Sequence, residues 1–275
     1  RVLGTAIPFT GDYGISKNPE SLAWDQYRLY FTDKQRGAVL RLSNDGLTPI
    51  SNVGMKSWFR DHLKACESIV GTFDKVNGEY NVTLKTSESL LPEDSDNWKY
   101  KDITVSFNEG SKGWVSFKSF VPKTGCSVSG KYFTSIDNEI WEHHYKTPSS
   151  LSSNLGEDTN KNRIYGSLKE SSITIIFNDL PSVVKSFKTI NYEGTKSKVN
   201  KFSDESVDPY SIFYEDDNNW TDGEYYNLSD KQGWWVESFT TDLQNGSVPE
   251  FINKENKWFN KINGKNETYL TGSSI

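Results

Sequence analysis

The chain has 275 residues, enough to bury a sizeable core in one large or two ordinary domains. Hydrophobic residues make up 34% and Trp, Tyr and Phe 14%, with nine Trp and one Met, a balance that favours β-structure because aromatic and β-branched side chains suit a pleated, half-buried surface. The formal charge of -6 arises from bases scattered among acids, which argues against a nucleic-acid partner, and no apolar run approaches the roughly 20 residues of a membrane-spanning helix.

The opening stretch RVLGTAIPFTGDYG lacks the charged region followed by an apolar one that a secretory signal needs, and it starts at Arg1 in Gly/Pro-containing coil. The expectation is an excised or processed piece of a longer polypeptide. Leu29 to Leu42, LYFTDKQRGAVLRL, runs Tyr-Phe-Thr, a polar turn, then an alternating strand, and reads as a hairpin. Next, Met55, Trp58, Phe59 and Leu63 in GMKSWFRDHLKA fall at i, i+3, i+4 and i+8, giving one short amphipathic helix. SIVGTF and GEYNVTL (Gly78 to Leu84) then meet across a turn containing Asn77-Gly78, a strong hairpin signal.

Downstream the phrases begin to repeat. ITVSFNE (Ile103 to Glu109) returns as ITIIFND (Ile173 to Asp179), and each is followed by a second strand, VSFKSF and VVKSFKTI. KYFTSIDNEIWEHH (Lys131 to His144) parallels the first Tyr-Phe-Thr hairpin, GEYYNLS (Gly223 to Ser229) echoes GEYNVTL, and QGWWVESF (Gln232 to Phe239) echoes KGWVSFKSF (Lys112 to Phe120). Three polar stretches separate these units: SESLLPEDSDNWKYKD, the run from Thr147 to Asn162, and SDESVDPYSIFYEDDNNWTDGE, the last anchored by Tyr210, Ile212, Phe213 and Tyr214. The expected fold is all-β, a propeller-like array of antiparallel four-stranded repeats with one short helix, a β-sandwich being the alternative. It forms a single β-repeat domain over 1–275, in approximate blocks 8–66, 67–146, 163–200 and 210–264.

Little in the chain speaks for chemistry. Cys66 and Cys126 read as two buried free thiols. His62 reads as an exposed polar residue of the helix, and His143-His144 as a surface or interface pair whose rings leave opposite faces of a strand. Asp33, Glu109, Asp179 and Glu237 are the carboxylates a glycoside hydrolase on this scaffold would use, although Glu109 and Asp179 occupy equivalent repeat positions and a turn role serves both. DDNNWTDGE (Asp216 to Glu224) has the acid density of a calcium loop, but Asp222 stands where the loop glycine belongs and no Glu closes it. No catalytic, cofactor-binding or metal residue is assigned, and no cofactor is expected. Trp98, Trp220, Trp234 and Trp235 are the candidate interface anchors, because Trp offers a large contact area with a polar tip. One of the adjacent pair Trp234-Trp235 must leave the inner face of any strand it occupies.

The passage DYGISKNPESLAWDQYRLYFTDKQRGAVLRLSNDGLTPIS (Asp12 to Ser51) resembles very large virion structural proteins of tailed bacteriophages, including marine myovirus-like and crAss-like phages. GWVSFKSFVPKTGCSVSGKYFTSIDNEIWEHH, NDLPSVVKSFKTINYEGTKSK and GWWVESFTTDLQNGSVPEFINKENKWFNKINGK look like successive blocks of the same family, so the similarity runs from about Pro8 to about Gly264. It implies a non-enzymatic, tail- or neck-associated virion component whose partners are other virion proteins and symmetric copies of itself. It carries no functional residue with it. The other reading weighed is a carbohydrate-binding propeller or receptor-contacting adhesin, with exposed Trp and Tyr stacking on a glycan.

Overall fold

Alternating apolar and polar residues through the first half of the chain become three successive antiparallel meanders. The computed structural model describes residues 11–86, 102–145 and 162–194, and beyond these 224–227, 229, 233–241, 244–248, 250–255, 257–262 and 265–266. The first meander is β1 (Ala23–Asp25), β2 (Arg28–Asp33), β3 (Ala38–Ser43) and β4 (Gly46–Pro49), paired in chain order. Helix α1 (Lys56–Ala65) leads into the second, β5 (Ser68–Asp74), β6 (Glu79–Lys85), β7 (Ile103–Asn108) and β8 (Gly113–Lys118). The third has three strands, β9 (Thr124–Val128), β10 (Lys131–Ile136) and β11 (Glu139–His143), with β10 in the middle.

Residues directly opposed across antiparallel strands share a face, so the register of the second meander sorts its two surfaces. Phe73, Tyr80 and Phe107 are aligned, as are Gly71, Val82 and Val105, and Ile69, Leu84 and Ile103; together they make the apolar face. Thr72, Asn81 and Ser106, with Val70, Thr83 and Thr104, make the other. The apolar face joins Tyr30 and Val39 of the first meander and Phe59 and Leu63 of α1 in one core. Tyr30 stacks on Phe73 at 5.5 Å and on Tyr80 at 4.9 Å, and Phe59 meets Trp114 at 4.4 Å. Gly71 is a point of close approach: a Cβ there would lie 1.9 Å from the Ser21 carbonyl oxygen. On β8 the register with β7 shifts between Ser106 and Phe107, a bulge at the sheet edge.

The chain divides into two compact units, 1–174 and 175–275. A short hairpin, β12 (Arg163–Ile164) and β13 (Ser167–Leu168), lies near the end of the first. The second unit contains β14 (Thr189–Ile190), β15 (Glu224–Tyr226), β16 (Phe239–Thr240), β17 (Gln244–Gly246), β18 (Glu250–Lys254), β19 (Lys257–Lys261) and β20 (Lys265–Asn266). These form one sheet ordered β14-β19-β18-β15 and another ordered β16-β17-β20. Val248 and Phe251 centre a small core with Ile190, Tyr192, Val236, Phe239 and Trp258. Asn227 ties it together, its Nδ2 donating to the carbonyls of Val236 and Val248 at 2.7 and 2.8 Å while its Oδ1 accepts from the Val236 N–H.

The architecture is therefore all-β, built of small antiparallel sheets with one α-helix, and no sheet among the described residues closes into a barrel or a propeller ring. Both Tyr-Phe-Thr hairpins form, as β2–β3 and β10–β11, and GEYYNLS contributes β15. Two expected strands differ. Residues of ITIIFND belong to no strand, although the near-identical phrase at β7 does: β7 is flanked by β6 and β8, whereas Ile173 to Asp179 has no ladder partner among the described residues. In QGWWVESF only Phe239 enters a ladder longer than one bridge, and Val236 bonds to the Asn227 side chain instead. Of the three polar stretches, all but Asp102, Asn162 and Glu224 lie outside the described residues, as does the block around Tyr210, Ile212, Phe213 and Tyr214.

Candidate interaction surfaces

The polar face of the second meander is covered by the third. Tyr132, buried, shares a 2.7 Å hydrogen bond with Thr72 Oγ1 and accepts one from Asn81 Nδ2 at 3.3 Å. Asn81 Oδ1 in turn accepts from Ser106, and Thr83 and Thr104 pair at 2.8 Å while Thr104 donates to the Phe120 carbonyl. These side-chain hydrogen bonds explain how a strand such as β6 can be buried on both sides with Asn and Thr on one of them. Burial pushes the Tyr132 phenol well above the usual tyrosine range.

His143 and His144 close the edge of this layer. The His144 ring nitrogen lies 2.7 Å from Asp74 Oδ2 and 3.2 Å from Asn77 Nδ2, and His143 Nε2 lies 2.6 Å from Thr134 Oγ1. Burial, reinforced by the neighbouring His144, pushes His143 down to about 4, so the ring is neutral near pH 7. The two rings are 6.1 Å apart and both pack near Tyr132, so they do not leave opposite faces as the strand pattern suggests; β11 ends at His143, and His144 adopts a positive φ of 59° that turns its ring back. His62 also departs from expectation. It is buried against Trp58, stacked at 3.8 Å, with Nδ1 2.6 Å from the Trp58 carbonyl. Of the cysteines, Cys66 is buried and its thiol is pushed up to about 11 by burial, whereas Cys126 is exposed, because its neighbours Gly125 and Ser127 take the face of β9 turned to Thr72 and Phe73.

Of the carboxylates singled out by sequence, Asp33 and Glu109 each serve a structural contact within the first unit. Asp33 accepts from the backbone N–H groups of Gly14 and Arg36 and pairs with the Arg36 guanidinium at 3.2 Å, ordering a turn. Glu109 binds the Tyr30 hydroxyl at 2.6 Å and pairs with Arg41 at 3.1 Å and Arg28 at 3.7 Å, locking the second meander to the first. Asp179 and Glu237 are exposed. Among the described residues no group of three or more His, Cys, Asp or Glu is placed to hold a metal. Asp216 to Asp222 lie outside the described residues.

Trp98 and Trp220 lie outside the described residues; Trp234 and Trp235 are both exposed, and the Trp234 carbonyl accepts a 2.7 Å hydrogen bond from Tyr192. Sequence reasoning passed over a larger feature. Between Ile173 and Phe187 every Ile, Leu, Val and Phe is exposed, Ile176 at 85% and Val184 at 100%. A turn closed by the Val183 N–H to the Leu180 carbonyl divides the stretch, and Lys185 Nζ donates to that same carbonyl. The apolar sequence of the stretch is the available signal, but the likeness of ITIIFND to β7 points to a paired strand rather than an exposed one.

Residues 159–265 match the family model of the Crassvirus muzzle protein C-terminal domain. The match supports a crAss-like phage virion structural protein family, in line with the resemblance seen in the sequence. A search of the curated proteins found no match. The muzzle-domain match contains Trp220, Trp234, Trp235 and the whole exposed stretch 173–187, and the three meanders between residues 23 and 143 precede it.

Proposed function

We propose that this chain is a non-enzymatic assembly component of a phage particle, tail- or neck-associated, that presents rigid surfaces to neighbouring virion proteins and to copies of itself. The exposed apolar stretch 173–187 carries the reading: it lies inside the muzzle-domain match and leaves eight Ile, Leu, Val and Phe side chains in water, a concentration of exposed apolar residues of the kind found at interaction sites. Trp98, Trp220, Trp234 and Trp235 serve as further contact anchors. The meanders β1–β4, β5–β8 and β9–β11 act as blade-like sheets of a propeller-like array, stacked face to face through the Tyr30 core and the Tyr132 layer. Cross-linking mass spectrometry on purified virions tests this. Lys185 and Lys188 should link to other tail or neck proteins; links confined to capsid-shell proteins would contradict the tail or neck assignment.

A further inference from the structure

Two features of the chain complement each other. The first is the donor-like stretch ITIIFND, whose Ile173, Ile175 and Phe177 repeat the spacing of Ile103, Val105 and Phe107 in β7, with Thr174 in place of Thr104. Within the second meander, that pattern pairs antiparallel with β8. The second feature is the outer edge of β8. Among the described residues β8 has a strand neighbour on one side only, and Val115 and Phe117 on it are 45% and 55% exposed. An open edge with exposed apolar side chains is a template for an added strand, and a sequence whose near-copy pairs with the other edge of β8 has no ladder partner among the described residues.

Resting on the assembly reading above, we propose that the stretch 173–187 adds as a strand along the open β8 edge of a second copy of this chain. An antiparallel donor running as β7 does sets Ile175 and Phe177 beside Phe117 and Trp114, and brings exposed Asp179 to the end of β8 where Lys112 is exposed. Main-chain hydrogen bonds supply pairing that Ile173 to Asn178 lack among the described residues, and the apolar side chains leave water. Because donor and acceptor are different surfaces, each copy gives one strand and receives one, so the exchange closes either reciprocally between two copies or round a larger ring, or continues as an open array.

Complementation between two variants tests it. Ile176→Asp disables the donor at a residue that is 85% exposed, and Val115→Glu disables the acceptor, with Phe117→Glu as a second acceptor variant. Circular dichroism and melting verify that each is folded. In analytical ultracentrifugation the unaltered chain should self-associate as a dimer or larger, each variant alone should lose assembly, and an equimolar mixture of Ile176→Asp and Val115→Glu should yield a species of twice the 31.3 kDa chain mass and nothing larger. A chain that stays monomeric at its highest soluble concentration, or folded variants whose mixture stays monomeric, overturns the proposal while leaving virion membership intact. Successful complementation by a chain absent from purified particles would instead sink the functional reading and keep the strand exchange.

Discussion

Replacing Tyr132 by Phe removes one oxygen from the layer between the second and third meanders and should measurably loosen the first unit. The hydroxyl is the partner of Thr72 Oγ1 at 2.7 Å and of Asn81 Nδ2 at 3.3 Å, and Thr72, Asn81 and Tyr132 are each no more than 2% exposed. A buried polar group left without a partner costs about 1–3 kcal/mol. Asn81 keeps its bond from Ser106 and its contact with the tyrosine oxygen is long, so Thr72 dominates and a total of about 2 kcal/mol is expected. The ring contacts, 4.9 Å to His143 and 6.4 Å to Phe120, survive the change. For a unit of this size about 2 kcal/mol lowers the melting midpoint by roughly 4–8 °C, read by differential scanning calorimetry. Adding Thr72→Val should recover part of the loss, because both partners of the bond are then apolar. An unchanged midpoint for Tyr132→Phe, or additive losses in the double variant, would refute the claim that this layer holds the meanders together.

Acid should weaken the same region through His143. Its folded pKa is depressed to about 4, so the unfolded chain takes up a proton first, near 6.5; stability present above pH 6.5 is lost as pH falls toward 4. His143→Gln should flatten that part of the urea-midpoint curve against pH, and an identical slope in both proteins would count against it. Glu109→Gln removes the charge shared by Arg28 and Arg41 and weakens the bond from Tyr30, with an expected loss of about 1–3 kcal/mol in urea unfolding that shrinks at high salt. Gly71→Ala forces a Cβ onto the Ser21 carbonyl and should cost about 3 kcal/mol or more, seen as a large fall in midpoint or in soluble yield; a stable, soluble variant would show that the approach of Ser21 to β5 is loose.

How much of this was legible depends on whether a residue's partners lie near it in sequence. The hairpins β2–β3 and β10–β11 were readable because turn and alternation are local, and α1 because Met55, Trp58, Phe59 and Leu63 mark one face. GEYNVTL is legible as a hairpin strand, but not that Asn81 and Thr83 in it are buried, since their polar partners Ser106, Thr104 and Tyr132 arrive from 21 to 51 residues away. The same distance effect gave Glu109, bonded to Tyr30 79 residues away, a clamping role that its turn position alone does not suggest. His62 was hidden for another reason: its partner Trp58 is one helical turn away, but a His in a helix says nothing of which face it takes. ITIIFND marks the opposite limit. Its pattern equals that of β7, and only the absence of a neighbouring strand among the described residues separates an exposed stretch from a buried one.

The central claim, that the chain is a built-in part of a phage particle, is tested most directly by quantitative peptide mass spectrometry on purified virions, with its copy number set against the portal protein. A fixed ratio near a small symmetry number is the predicted result. Absence of its peptides from intact particles, with the portal well represented, would contradict the account.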